Sequence, residues 1–255
     1  MQIALAGLRP EKVHRAQGVK LTVSGNAGEW RLKDHSSDVS RKLSTDGDLI
    51  YHLTDRIVFH IADKAEEQHC LHAAAVAHDG VAILIPANSG AGKSSLTTWL
   101  VANGFDYITD ELILMGQAEQ IDGLGRPIQI KANGIEAISG LLREPDAVLK
   151  GSLANAVPIS SLGGSVASSA ENKAGMILFP QYRLGIGFSF EQLSGAEAGM
   201  MLMANHVNAR NLEGHGFRAM MKLIRNTPCY RLEYGGFNSL PENFAASLKE
   251  KISSK

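Results

Sequence analysis

Cysteine is nearly missing from this 255-residue chain. Only Cys70 and Cys229 occur, far apart, which excludes a disulfide-stapled scaffold and predicts two buried thiols in a reducing compartment. Charge of one sign is also missing. The formal net charge is −1, so the chain lacks the basic excess of a nucleic-acid or anionic-membrane binder. No apolar run reaches the length that spans a bilayer. Pro10 interrupts the N-terminus before the apolar core of a signal peptide forms. Together these absences predict a cytoplasmic protein with neither nucleic acid nor membrane as partner. There is no internal repeat.

What is present is concentrated in one segment. Val81-Ala82-Ile83-Leu84-Ile85 reads as a buried strand. It feeds Pro86-Ala87-Asn88-Ser89-Gly90-Ala91-Gly92-Lys93-Ser94-Ser95, and a helical pattern continues through Val101. Strand, small-residue loop ending in Gly-Lys-Ser, and helix are the context of a phosphate-binding loop. Gly90 and Gly92 let the backbone close on phosphates, because no Cβ intervenes. Lys93 supplies a mobile charge to the outer phosphates, and the Ser94 hydroxyl suits Mg²⁺. Asn88, Ser89, Gly90, Ala91, Gly92, Lys93, Ser94 and Ser95 are therefore the expected nucleotide-binding residues. Ala87 replaces the usual first glycine, which is acceptable at negative φ.

Around this segment the pattern is α/β, richer in hairpins than a doubly wound parallel sheet. Residues 1–66 read as a strand-rich segment. Val19–Val23 and Trp30–Leu32 alternate, and Leu49–Leu53 with Arg56–Ile61 reads as a hairpin about Thr54-Asp55. Residues 67–255 form the second unit. Residues 66–76 fit helix or buried strand equally well. Asp79-Gly80 is a hairpin turn, and Gly104 ends the first helix of this unit. Strands follow at Tyr107–Thr109, Leu112–Met115 and Pro127–Lys131, with a turn around Asp122-Gly123. The Ser/Gly/Ala-rich stretch 151–172 reads as a surface loop or mobile flap. Met176–Phe179 is a strand stopped by Pro180. Residues 191–225 are largely helical, Tyr230–Tyr234 is the last strand, and a helix closes at 241–251 before a solvated tail. Met200, Met201, Met203, Met220 and Met221 read as core or interface filler. Asn205, His206, Asn208 and His215 read as surface or capping groups.

A phosphate loop needs a carboxylate at a neighbouring strand end. Asp110-Glu111 is placed there, one acid for the metal and one as general base. His72 lies just before the strand that feeds the loop. By itself it reads as a core histidine, and His69, Cys70 and His72 make a weak metal pattern.

In order, His72, Ser89-Gly90-Ala91-Gly92-Lys93-Ser94, Asp110-Glu111, Gln129-Ile130-Lys131-Ala132-Asn133-Gly134-Ile135 and Pro180-Gln181-Tyr182-Arg183-Leu184-Gly185 resemble the catalytic domain of the HPr kinase/phosphorylase family. The resemblance covers roughly residues 70–235, boundaries being the least certain part of such a reading. It implies a fold like the nucleotide-binding domain of phosphoenolpyruvate carboxykinase, with a mixed sheet and flanking helices. It implies ATP- and Mg²⁺-dependent phosphorylation of a serine on a protein or peptide, in a homo-oligomer. Lys93 and Ser94 would hold phosphates and metal. His72, Asp110 and Glu111 would form the catalytic cluster, with Glu111 as base and Asp110 towards the metal. Arg183, with Arg126 or Lys131, would balance charge on the transferred group. Gln129 stands where the family has a metal-binding Glu, and Lys131 where it has Arg. Residues 1–66 do not resemble the family's separate N-terminal domain. Efficient dephosphorylation is therefore not expected. The alternatives are a small-molecule kinase on the same scaffold, a non-catalytic ATP-binding regulator, and a simple ATPase that lacks an identifiable water-positioning group.

Overall fold

The computed structural model describes residues 18–168 and 172–254; the first seventeen residues of the expected N-terminal segment lie outside them. Strands β1 (Leu21–Asn26), β2 (Glu29–Asp34) and β3 (Ser40–Leu43) form an antiparallel sheet. Helix α1 (Asp46–Lys64) covers it. Here the hairpin expected at 49–61 is corrected. The β-branched and aromatic residues gave a strand signal, but Leu49, Ile50, Leu53 and Thr54 are the buried ones, a helical spacing. Thr45 caps the helix, accepting from the Asp48 N–H at 3.0 Å. Leu49 and Leu53 close a small core with Leu32 and Leu43. Asp34, fully buried, accepts from Arg56 and His60 at 2.7 Å each. Burial opposes its charge, but donors from Ser36, His60 and Arg56 outweigh it and hold the carboxyl well below the usual range.

The main sheet has eight strands. They are β4 (His69–His78), β5 (Val81–Pro86), β6 (Asp106–Thr109), β7 (Leu112–Met115), β8 (Ile121–Gly123), β11 (Lys173–Tyr182), β12 (Ser189–Gln192) and β13 (Cys229–Tyr234). The order is β12-β13-β11-β5-β4-β7-β8, with β6 also on β4. β13, β11 and β5 run parallel; the remaining pairs are antiparallel, so the sheet is mixed. The ambiguous stretch 66–76 is thus mostly strand. Asp79 and Gly80 both have positive φ, the geometry of the tight turn expected there. Residues 122–123 belong to β8 instead of a turn.

Alternation along the central strands makes two cores. Ala74, Val76, Ile83, Ile85, Met176 and Leu178 face helices α2 (Lys93–Ala102) and α6 (Phe244–Ser253). Ala73, Ala75, Ala77, Leu84, Ile177 and Phe179 face α4 (Gly195–Met203) and α5 (Phe217–Asn226). The result is helices on both faces of the sheet. Met220 is in the second core, whereas Met200 is 77% exposed.

A second, two-stranded antiparallel sheet pairs β9 (Ile128–Lys131) with β10 (Ala154–Val157), and a one-turn helix α3 (Ile135–Ile138) follows β9. Residues 154–157 are all buried, so the flap expected over 151–172 is corrected: alternation of small residues there is strand packing. Residues 169–171 of that stretch lie outside the described residues. Helix α1 docks on β10 through Ile50 and Ala156, and Asp48 accepts from the Ser152 N–H at 2.7 Å. β11 continues through Pro180, because pairing with β5 has ended at Ile177 and the missing N–H costs no ladder bond on that side. The C-terminal tail is shorter than expected, since Ile252 is fully buried. Asn205, His206 and Asn208 are buried too, not surface groups; the Asn208 amide donates to Gln68 O and accepts from Cys70 N, both at 2.8 Å. Cys70 and Cys229 are both buried, as expected. Among the described residues no helix is long and apolar enough to cross a membrane.

Candidate functional site

β5 delivers the chain to the loop Ala87–Gly92, and α2 carries it away. The described non-glycine residues with positive φ are Asp79, Glu119 and His215, so Ala87 tolerates its methyl. Gly92 is constrained twice. Its φ is +90°, and an added Cβ would collide with the Tyr234 hydroxyl and lie 2.9 Å from the Tyr182 Cβ. Gly90 also has positive φ, but open space lies beyond it. The loop is tied down from outside: Ala91 O accepts from Tyr182 N at 3.1 Å, and Gly92 O from the Tyr234 hydroxyl at 3.3 Å. Lys131 donates to the Ser89 hydroxyl at 3.0 Å. The first turn of α2 carries no side-chain cap and no acidic residue. Its N–H groups and positive dipole end remain available to an anion.

The adjacent acids at the end of β6 have different surroundings. Asp110 is 1% exposed. Its Oδ1 accepts from the Tyr107 hydroxyl at 3.0 Å and meets Arg126 at 3.1 Å, and its Oδ2 accepts from the Gln129 N–H at 2.8 Å. Glu111 has 39% of its side chain exposed. It lies 3.4 Å from His72 Nε2 and 3.4 Å from Arg126 Nη2. Arg126, itself buried, donates also to Thr54 of α1 at 3.1 Å.

Burial and the neighbouring Lys93 push the His72 pKa below its ordinary 6.5, against the pull of Glu111 and Asp110. A pKa held below 6.5 leaves the ring mostly neutral at pH 7, so its 3.4 Å contact with Glu111 is not an ion pair there. Burial likewise lowers the Lys93 ammonium, partly offset by Glu111 and Asp110. Burial and the Asp110 charge push the Tyr107 phenol up, which keeps it a donor.

A cavity of about 800 Å³ gathers most of these groups. His72, Asn88, Ser89, Gly90, Gly92, Lys93, Ser94, Ser95, Glu111, Arg126, Gln129 and Lys131 all line it. Three expected residues do not: Ala91, Asp110 and Arg183. Asp110 is turned into the protein, where three donors occupy both its oxygens. Arg183 pairs with Glu233 at 2.9 Å and is 63% exposed. Tyr51, Asp55, Tyr182 and Tyr234 line the cavity without having been anticipated. Tyr107 carried a weak signal, three residues before Asp110 on the same strand. Thr54 and Tyr51 carried none, since their helix read as a hairpin.

Four atoms at this site are buried with no hydrogen-bond partner among the described residues: Lys93 Nζ, both amide atoms of Gln129, and Arg126 Nε. Buried polar atoms are otherwise almost always paired. Ser94 and Gln129 offer oxygen donors that fit a Mg²⁺ ion keeping its waters and substrate phosphates. Asp110, expected to share in the metal, is buried, and each of its oxygens already meets at least one donor. Among the described residues no group of three His, Cys, Asp or Glu side chains could hold a metal unaided. In comparisons with known proteins, no family model and no curated protein matches the chain.

Proposed function

We propose that this protein is an ATP- and Mg²⁺-dependent kinase that phosphorylates a serine hydroxyl of a protein or peptide, on a P-loop domain of the HPr kinase type. One observation carries the reading. The unpartnered Lys93 ammonium and Gln129 amide face the same cavity as the open N-terminus of α2 and the His72–Glu111–Arg126 cluster. A polyanion beside a base is the chemistry such a wall accepts.

The ATP phosphates rest on the Asn88–Ser95 backbone with Lys93 against the outer pair. Ser94 and the Gln129 amide oxygen would hold Mg²⁺, which would supply neutralisation of phosphate charge. Glu111 takes the proton from the serine hydroxyl. The serine oxygen bonds to the γ-phosphorus, and the bridging oxygen leaves with ADP. Neutral His72, 3.4 Å from Glu111, positions it, and Arg126 balances the charge that builds. Gln129 favours a second reading, an ATP-binding protein without turnover, because a neutral ligand holds Mg²⁺ more weakly than a carboxylate.

Transfer from γ-labelled ATP to protein and peptide fractions tests the two. Labelled serine with the native protein, lost by about 10²–10³-fold in Glu111→Gln while ATP still binds, supports the kinase. ATP binding without label on any fraction supports the second reading. The pH profile adds an independent check. The lowered His72 pKa predicts a flat rate from pH 7 to 8 and a fall below 6.5, as a protonated ring holds Glu111 as an ion pair. His72→Gln should remove that acid limb; an unchanged limb would assign it elsewhere.

A further inference from the structure

Beside the large cavity lies a groove of about 340 Å³, and His72 and Glu111 line both. The phosphate side of the site is thus separated from the groove by the pair that would handle the acceptor proton. Val58, Phe59 and Ala62, one turn apart on α1, form one wall, and Val207 faces them. Phe59 is 49% exposed and Val207 46%. Large apolar groups left open at a site's mouth mark contact surface more than chance exposure does.

The groove is preformed. The Arg56 guanidinium lies 4.4 Å from the centre of the Phe59 ring and fixes it. Val207 N donates to Cys70 O at 2.9 Å, and Asn205 O accepts from His72 N at 2.8 Å, so Val207 is registered against the strand that carries His72. Asn211 donates to Asp63 O at 2.9 Å, locking that segment to the end of α1. Its charges are spent internally: Asp63 pairs with Arg210 at 2.6 Å, and Glu111 is shared by His72 and Arg126. Among the described residues, the remaining lining side chains are Val58, Phe59, Ala62, Leu112 and Val207, none of which can hydrogen-bond a sugar or a nucleoside.

We propose that this groove seats a bulky apolar side chain of the phosphoacceptor polypeptide, close in sequence to the serine that receives phosphate. The inference rests on the kinase reading and narrows its acceptor to a polypeptide. The apolar part of the wall, Val58, Phe59, Ala62, Leu112 and Val207, complements an aliphatic or aromatic side chain, and its continuity with Glu111 puts the neighbouring serine within reach of the base. A polar metabolite would leave this wall uncovered.

The test uses the full chain and a positional-scanning library of serine peptides with γ-labelled ATP. Native protein is compared with Val207→Glu and Phe59→Ser, two exposed changes outside the reacting groups, each checked by thermal melting. Calorimetric ATP binding is measured for all three and for Lys93→Ala. The expected result is a preference of about tenfold or more for Leu, Ile or Phe at one position near the serine, lost in both variants while ATP binding stays unchanged. Labelling without apolar selection, or selection that survives both variants, overturns the groove and leaves the kinase standing. Label found on metabolites alone overturns it as well. ATP binding that depends on Lys93 with no peptide labelled overturns both the groove and the kinase.

Discussion

Lys93→Met should lose detectable ATP binding, transfer phosphate far more slowly, and melt later than the native protein. The two effects have one cause. The Lys93 ammonium is 8% exposed and has no hydrogen-bond partner, so the free protein holds a desolvated charge in readiness for an anion. An unsatisfied buried polar group costs about 1–3 kcal/mol. Methionine fills the same space without that cost. A gain of about 1 kcal/mol would raise the melting temperature by roughly 2–4 °C for a chain of this size. The loss of transfer should reach about 10²–10³-fold, the scale for removing one fixed stabilising group. Mg-ATP should then raise the melting temperature of the native protein and leave the variant unmoved, because only a bound ligand shifts the equilibrium. A variant that melts earlier would mean that the ammonium is paired in the free protein. A variant still protected by ATP would remove Lys93 from the nucleotide site.

The second large effect separates two residues that are neighbours in sequence. Asp110→Ala should destabilise the fold by about 3–5 kcal/mol, the range for breaking a buried ion pair. It would strand Arg126, the Tyr107 hydroxyl and the Gln129 N–H together. Glu111→Gln, on a side chain that is 39% exposed, should change stability by no more than roughly 1 kcal/mol. The denaturant midpoint reads both. Equal midpoints would refute the division of labour between them, with Asp110 as fastener and Glu111 as base. Asp110→Asn keeps an acceptor for the Gln129 N–H and should fall between.

What was legible in the sequence was local. Val81–Ser95 carries its strand, its turn glycines and its helix start within fifteen residues, and Asp79-Gly80 announces the hairpin that feeds them. Asp110-Glu111 could be placed at a strand end by separation alone. What was not legible depends on contacts made far along the chain. The α1 stretch is rich in β-branched and aromatic residues, and only its packing on Leu32 and Ala156 shows which of them are buried. Strand β10 looks like a flexible linker until β9 pairs with it. Asn208 reads as polar surface, yet its partners lie near residues 65–70. Arg183 sits in the right stretch of sequence, but Glu233 on the neighbouring strand holds its side chain outside. The acidic pair could be given two roles from the sequence, but the burial that separates Asp110 from Glu111 is a tertiary quantity.

Thr54 has a bearing on how this protein can vary. Its hydroxyl receives Arg126 from seventy-two positions downstream and lies on a helix of the leading segment, which the sequence alone reads as strands. A chimera that swapped the first 66 residues for another scaffold would unseat an arginine inside the candidate site. It would also strip Tyr51 and Asp55 from the cavity wall. The leading helix and the loop domain must therefore be inherited as one cassette, and changes at Thr54 and Arg126 should be tolerated together more readily than apart.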